Sequence, residues 1–261
     1  MHKRLSLDIN SPKYLGIVQA CKLIAGILTV NVAVGFGAEY RSNNYLVEAS
    51  TPQIASVVAS EAEAWRSAFA KDWLGSELET WSVRCCIIVD EQKPKPGGLT
   101  SYVVDDGQAT EFRMTIYGPL GEMLETVLPH EVSHAVLASY LGQIIPRWAD
   151  EGIALMSESM SVRKRQRLLA REIIESKEAP SLRTVLSTLD YPADHNRVLE
   201  FYAHSHSLTE FLVKRGSKRR LIQFLEDCPD RAWDEAVRHH YAFPNVEAME
   251  VAWRDWVNRS S

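Results

Sequence analysis

Apolar and polar residues alternate in much of the first half of the chain, whereas the second half follows helical spacing. The period of two that is typical of strands occurs in three stretches, at residues 44–50, 81–90 and 99–118. The third stretch contains an Asp-Asp-Gly turn and therefore predicts two strands. Thr51 is placed to cap a helix that runs to about Leu74, and from Glu122 onward the pattern is helical nearly everywhere. The pattern thus predicts an α+β fold, with a small N-terminal α/β sheet layer and a mainly helical C-terminal half.

The N-terminus has a composition of its own. Lys3 and Arg4 come before residues 23–38, an uncharged apolar run of 16 residues that ends in small side chains. A basic start, an apolar segment and a small-residue end are typical of a signal peptide, and the run is shorter than the roughly 20 residues of a membrane span. We predict a signal peptide or N-terminal anchor at residues 1–38, with a buried core helix as the third possibility. A signal peptide implies a secreted or cell-envelope protein.

The composition restricts the classes of function. The chain of 261 residues is 46% hydrophobic and 24% charged, an ordinary globular balance. Its net charge of -5 argues against a nucleic-acid partner, because phosphate binding needs clustered positive charge. The one basic run, at residues 163–171, is interpreted as the solvated face of a helix. Residues 39–261 are predicted to form one domain, with an α/β part at about 44–120 and a helical part at about 121–261.

Three cysteines follow the apolar segment. Cys85 and Cys86 are adjacent in a predicted strand, so their side chains point to opposite faces of the sheet. Either of them can pair with Cys228 in an oxidising compartment, or all three can remain buried free thiols. Their spacing does not indicate a thiolate metal site.

Residues 128–137, LPHEVSHAVL, carry the clearest chemical signal. His130 and His134 are four positions apart and share one face of a helix, where they can bind one metal ion. Glu131 lies beside that face, and its carboxylate can act as a general base on water without binding the metal. The apolar neighbours fit a buried helix, which either begins at Pro129 or is bent there. This motif also occurs by chance, so a metal site requires a third ligand.

A third ligand is available in residues 144–156, IIPRWADEGIALM. Catalytic zinc takes three protein ligands and leaves one position open. Glu151 lies 17 residues after His134, a separation that suits a helix, a turn and a second helix that returns to the first. Asp150 and Glu158 are acidic competitors for this role. Alternatively, Glu151 only stabilises the N-terminal end of its own helix.

Together, LPHEVSHAVLA and PRWADEG resemble the gluzincin metallopeptidases, in particular the small peptidase-MA-like bacterial group. More distantly they are similar to the aminopeptidase-type gluzincins, whose third ligand lies in a W-x-x-E-G segment, matched here by residues 148–152. The resemblance implies a zincin-like fold, a peptide or protein substrate, and Zn²⁺ as the cofactor. It also implies that His130, His134 and Glu151 bind the zinc and that Glu131 is the general base. Substrate specificity and oligomeric state do not follow from it.

A donor for the oxyanion of the transition state is predicted in residues 200–214. Aminopeptidase-type gluzincins use a tyrosine at the start of a Y-x-K-G helix, and Tyr202 falls at the matching place, although the lysine and glycine are replaced. His206 shares the helical face of Tyr202 and is the second candidate. Tyr202 is alternatively a packing residue. His239 and His240 are interpreted as surface or packing histidines.

The sequence therefore predicts zinc-dependent hydrolysis of peptide bonds. An extended substrate is expected to add to RMTIYG, residues 113–118, which is interpreted as the edge strand of the sheet. Contact with a membrane is expected only through an uncleaved N-terminal segment. The alternative is a non-catalytic gluzincin-like zinc domain that acts as a binding module in the cell envelope. Glu131 argues against that alternative, because no metal-ligand role requires this residue.

Overall fold

A mixed five-stranded sheet forms the N-terminal layer of the computed structural model, which describes residues 37–259 apart from 177, 178, 189, 193 and 229–231. The order across the sheet is β1-β2-β3-β5-β4, in which β2, β3 and β5 are parallel and the two outer strands are antiparallel to their neighbours. The strands are β1 (Ala38–Arg41), β2 (Tyr45–Ala49), β3 (Cys85–Asp90), β4 (Gly97–Asp105) and β5 (Gln108–Tyr117). The predicted hairpin between β4 and β5 turns at Asp106 and Gly107, which both have positive φ.

The strand that we expected at the edge of the sheet is an inner strand. β5 contains most of the RMTIYG segment and pairs with β3 on one side and with β4 on the other. Its backbone hydrogen-bonding groups are therefore used on both sides and cannot receive a substrate. Within the described residues, β4 pairs with β5 alone and forms the edge. The expectation that a substrate adds to residues 113–118 is wrong.

Helix α1 (Pro52–Phe69) provides the crossover that the parallel strands β2 and β3 require. As predicted, Thr51 caps this helix, because its Oγ1 accepts a hydrogen bond from the backbone N–H of Ile54 at 3.3 Å. The helix continues into a π-helical turn at Ala70–Leu74, which ends at Gly75. The predicted end at about Leu74 therefore agrees with the structure.

The C-terminal half is mainly helical, and the predicted α+β class is confirmed. At its centre lies α3, whose residues 128–138 are all buried. This helix packs against α1, α4, β4 and β5. The helices of this half are α2 (Leu120–Glu122), α3 (Leu128–Leu141), α4 (Arg147–Leu155), α5 (Met160–Glu175), α6 (Leu182–Leu186), α7 (His195–Arg215), α8 (Lys218–Asp227), α9 (Trp233–Tyr241) and α10 (Val246–Arg259).

Two features at the ends of α3 fix its position. Pro129 lies in its first turn, directly after a π-helical turn at Met123–Val127. A proline removes one helical hydrogen bond and crowds the preceding turn, and the wider π turn accommodates both effects. At the other end, α3 stops at Gly142, where a Cβ would lie 2.0 Å from the carbonyl oxygen of Gly107. The helix thus abuts the β4–β5 hairpin directly.

The tryptophan and glycine of the WADEG segment fix helix α4. Trp148 is fully buried, and its ring centroid lies 6.5 Å from that of Phe224 on α8. Gly152 faces α7 so closely that a Cβ would lie 2.1 Å from Thr209 Oγ1 and 2.4 Å from the carbonyl oxygen of Ser205. These two contacts hold the residues between them against α3.

The predicted signal peptide or anchor lies outside the described residues, except for Gly37 and Ala38. Ala38 begins β1. Among the residues that the structure describes, no helix is both long enough and apolar enough to cross a bilayer. The signal-peptide interpretation therefore stays a prediction.

Cys85, Cys86 and Cys228 are free thiols in this structure. Cys85 is buried and Cys86 is half-buried, and as adjacent residues of β3 they point to opposite faces. Burial raises the pKa of the Cys228 thiol to about 12. The structure thus shows three free thiols, of which Cys85 alone is buried, whereas the second alternative predicted that all three are buried.

Candidate metal centre

His130 and His134 lie one turn apart on α3, and their ring centroids are separated by 4.9 Å. Their Nε2 atoms face Glu151 on α4, at 3.4 Å from Oε2 for His130 and 4.0 Å from Oε1 for His134. One ligand atom from each of the three residues lies within 4.8 Å of the other two. The structure therefore brings together the three residues that the sequence predicts as metal ligands.

The chemistry of this cluster fits a metal ion. All three side chains are buried, and within the described residues Glu151 Oε2 has no hydrogen-bond partner. An unsatisfied buried carboxylate oxygen is costly, and a bound cation would remove that cost. Two imidazole nitrogens and one carboxylate oxygen form a donor set typical of catalytic zinc, which leaves a further position open.

The outer nitrogens of both histidines are held by acids. His130 Nδ1 donates to Glu158 Oε1 at 2.9 Å, and His134 Nδ1 donates to Asp150 Oδ1 at 2.6 Å. Such bonds fix the orientation of a metal-binding imidazole and leave Nε2 free for the metal. Asp150 and Glu158, which the sequence suggested as competing ligands, are thus partners of the ligands.

Arg147 and Tyr191 connect Asp150 with Glu151. The sequence did not indicate a role for either Arg147 or Tyr191. Arg147 is buried, and its Nη1 donates to Asp150 Oδ2 at 3.2 Å. Its guanidinium carbon also lies 4.9 Å from the ring centroid of Tyr191, whose hydroxyl donates to Glu151 Oε1. Tyr191 lies between α6 and α7, 40 residues after Glu151, where no motif spacing points to it. Arg147 precedes WADEG directly, but its type alone did not indicate a role.

The edge strand β4 holds the side chain of Glu131. Thr100 Oγ1 lies 2.7 Å from Glu131 Oε2 and 3.1 Å from the backbone oxygen of the same residue. Two positions earlier, a Cβ on Gly98 would lie 2.6 Å from Glu131 Cγ. Burial raises the pKa of Glu131, while His134, His130 and the bond from Thr100 act in the opposite direction. Glu131 is therefore a buried carboxyl held between α3 and the sheet.

The carboxylates around His130 favour its protonated form. Burial alone would lower the pKa of His130, but the neighbouring carboxylates of Glu151 and Glu158 outweigh burial and raise the pKa to about 10. Burial alone would raise the pKa of Glu151, but His134 and His130 lower it to about 2. A positive charge is thus strongly favoured between these carboxylates, which is the charge that a metal cation supplies.

Comparison with known proteins agrees with this geometry. The family model described as Peptidase MA superfamily matches residues 120–259, which is more than half of the chain. The chain belongs to the Peptidase MA superfamily. No curated protein and no solved structure matches it. Membership in the Peptidase MA superfamily supports metallopeptidase-type hydrolysis of a peptide or protein substrate, and the matched region contains the three candidate ligands and Glu131.

In this Peptidase MA protein, the ring of Tyr191 lies between Tyr202 and the candidate ligand Glu151. Tyr202 is 5% exposed and packs with Leu155 and Val198. Its ring centroid lies 6.2 Å from that of Tyr191, which contacts Glu151. The structure thus brings Tyr202 to the same side of α7 as the metal cluster and gives it packing contacts as well.

His206 has different surroundings. It is fully buried in α7, and its two ring nitrogens have no hydrogen-bond partner within the described residues. Burial lowers its pKa to about 4, and the charged groups that act on it are Glu210, Arg163 and Arg167. None of these three belongs to the metal cluster.

His239 and His240 lie near the surface on α9. His240 Nε2 lies 2.9 Å from Asp227 Oδ2, and one ligand atom from each of the three residues lies within 4.8 Å of the others. His239 is exposed, and Arg220 lines the same surface depression. The partner of His240 could not be predicted, because Asp227 belongs to the preceding helix.

Proposed function

We propose that this Peptidase MA protein is a zinc peptidase of the gluzincin type. The proposal rests on one observation, the convergence of the His130, His134 and Glu151 ligand atoms within 4.8 Å beside the buried Glu131. In the proposal these three residues hold zinc through the two Nε2 atoms and the carboxylate. Bound zinc would lower the pKa of water toward about 7 and polarise the substrate carbonyl.

Glu131 is the proposed general base. It takes a proton from the attacking water and later passes it to the leaving nitrogen. Its contact with Thr100 at 2.7 Å supports this role, because a base must be held in one orientation. Burial raises its pKa toward the range in which a carboxyl exchanges protons efficiently near neutral pH.

Tyr202 is the proposed donor to the substrate oxygen as that atom gains negative charge. Its position beside Tyr191, with ring centroids 6.2 Å apart, supports this assignment. His206 is the second candidate, since its ring nitrogens lack partners among the described residues. Separate Tyr202→Phe and His206→Leu variants compare the two candidates. Loss of the true donor is expected to lower kcat much more than it changes KM.

We propose that an extended substrate lies along β4. Within the described residues the outer side of this strand has no strand partner, so its backbone groups are available for main-chain hydrogen bonds. Gly98 and Thr100 on the same strand contact Glu131, which would bring the substrate backbone close to the base. A secreted or cell-envelope location is proposed from the composition of residues 1–38.

The function is tested by measuring zinc content and hydrolysis of a mixed peptide library together, on the full chain and on its Glu131→Gln variant. Glu125→Gln is the matched control, because Glu125 is an exposed carboxylate six residues earlier. We expect one zinc in all three proteins, with cleavage by the parent and by Glu125→Gln only. Glutamine keeps the shape of Glu131 and removes its ability to accept a proton.

Two results would contradict the proposal in different ways. One zinc in each protein without cleavage by the parent would favour a non-catalytic zinc-binding module. No zinc in the parent would remove the basis of the whole assignment.

A further inference from the structure

A second cavity lies between α6 and α7. It has a volume of about 230 Å³ and is lined by residues of α6 and α7 together with Pro180, Thr188 and Pro192. Val185, Pro192 and Phe201 give it apolar walls, and the buried His204 is one of its polar residues. Arg197 and Glu200 also line it and form an ion pair with each other. An apolar cavity of about 150 Å³ is known to admit benzene, so this cavity has room for a substituted aromatic ring.

His204 is unusual because it is buried without satisfying its polar atoms. It is 1% exposed, and neither of its ring nitrogens has a hydrogen-bond partner within the described residues. Burial and the nearby Arg254 lower its pKa to about 4, so the imidazole is neutral at pH 7 and offers one donor and one acceptor. Leaving both unmade in an apolar setting is costly, which favours a ligand that carries a hydroxyl group.

Two aromatic rings, those of Phe201 and Tyr191, connect the cavity with the metal cluster. The ring of Phe201, which lines the cavity, lies 6.3 Å from the ring of Tyr191 in an edge-on arrangement. The hydroxyl of Tyr191 contacts the candidate ligand Glu151. Pro192, the next residue in the chain, forms part of the cavity wall. The cavity wall and the metal cluster therefore share Tyr191 as a neighbour.

We propose that this cavity binds a phenol group, the side chain of a tyrosine in the peptide substrate. The ring would pack on Phe201, and the hydroxyl would form a hydrogen bond with His204. A phenylalanine side chain would leave His204 unsatisfied. The two charged residues of the lining, Arg197 and Glu200, already pair with each other at 3.0 Å and do not favour a charged side chain. A role of the cavity in cleavage specificity depends on the proposed peptidase function. Its affinity for a phenol does not depend on that function.

Binding of p-cresol and toluene to the full chain tests the cavity itself. The two probes are the tyrosine and phenylalanine side chains, and their affinities can be measured by NMR titration. We expect the parent to bind p-cresol about tenfold more tightly than toluene, because only p-cresol satisfies His204. In His204→Leu the ratio should fall to about one while toluene binding persists, which also shows that the variant is folded.

Two further variants control the experiment. His206→Leu removes another buried histidine of α7, whose ring nitrogens also lack partners among the described residues. This histidine does not line the cavity, and the variant should keep the ratio of the parent. Thr184→Trp adds bulk at an exposed position of the lining and should weaken both probes. Equal affinities in the parent, or an unchanged ratio in His204→Leu, would overturn the proposal.

The cleavage sites in the peptide library test the link to catalysis. Among the peptides that the parent cleaves, tyrosine is expected to be enriched beside the cleaved bond. His204→Leu should lose this enrichment while it still cleaves other peptides. Cleavage by the parent without any tyrosine preference would overturn the role in specificity. If nothing is cleaved but p-cresol binding depends on His204, the cavity stands and the peptidase function falls.

Discussion

Thr100 on the edge strand holds Glu131 on the central helix, with 2.7 Å between the threonine Oγ1 and the carboxylate Oε2. A hydrogen bond to a charged group contributes about 1.5–3 kcal/mol. If the proposed base needs this orientation in the transition state, that energy corresponds to roughly 10–100-fold in rate. The contact also couples the sheet to the helix that carries the histidines.

Thr100→Val should therefore lower kcat by roughly 10–100-fold, because valine keeps the shape of threonine and removes the donor. Zinc content should not change, since Thr100 contacts none of the candidate ligands through its hydroxyl. Steady-state kinetics and metal analysis of the same preparation check both parts. A parent-like kcat would show that the orientation of Glu131 does not depend on this bond.

Gly98→Ala tests the space beside Glu131. The new Cβ would lie 2.6 Å from both Cγ and Oε1 of Glu131, so the carboxylate must move. We expect a loss of activity of at least about a hundredfold, because small displacements of a reacting group are costly. Gly121→Ala is the control, since a Cβ there meets no atom within 4 Å. Similar kinetics for the two variants would contradict the predicted role of Gly98.

Arg147→Met should weaken metal binding by about 10–100-fold, the usual effect of removing a residue that supports metal ligands. Arg147 pairs with Asp150 at 3.2 Å and lies 4.9 Å from the ring centroid of Tyr191, so one change loosens the supports of both His134 and Glu151. Competition with a zinc chelator measures the affinity. The exposed Arg219→Met is the control, and equal affinities for the two variants would exclude this supporting role.

Stability should fall as the pH is lowered from 7 to 5, and His206 should account for part of the loss. Burial lowers its folded-state pKa to about 4, whereas the unfolded chain takes up a proton near pH 6.5. The unfolded state thus binds more protons in this range, and stability present above pH 6.5 is lost toward pH 4. His206→Leu should reduce the difference in unfolding free energy between pH 7 and 5 by about 2 kcal/mol.

Urea unfolding of the metal-free protein at the two pH values measures this difference, because metal binding would add its own pH dependence. His240→Gln serves as the comparison, since His240 lies near the surface and is paired with Asp227. The same pH dependence in His206→Leu and in the parent would show that His206 is hydrated in the folded protein.

The sequence was most informative about contacts between residues that lie close together in the chain. His130 and His134 share a face because any helix brings positions four apart together, and Thr51 caps α1 through a contact with a residue three positions away. Glu151 could be proposed through the resemblance of its segment to a known family. The fold class followed from the change of hydrophobic period between the two halves of the chain.

Contacts between distant segments could not be predicted. Tyr191 reaches Glu151 across 40 residues, and Thr100 reaches Glu131 across 31, with no periodic pattern to indicate either contact. The edge strand was misassigned for the same reason. Both strands of the hairpin have similar alternation, and only the pairing of β5 with the distant β3 decides which of them is internal.

The β4–β5 hairpin also determines which segments would have to be moved together to transfer the candidate site to another protein. A designer who moved only α3 and α4 into another scaffold would transfer every candidate ligand, yet Gly98 and Thr100 would stay behind. Such a graft would keep the candidate ligands together but would leave Glu131, the proposed base, without the strand residues that contact it. The strand that contacts Glu131 thus precedes the segment by which the family is recognised, and that segment alone does not contain the whole candidate site.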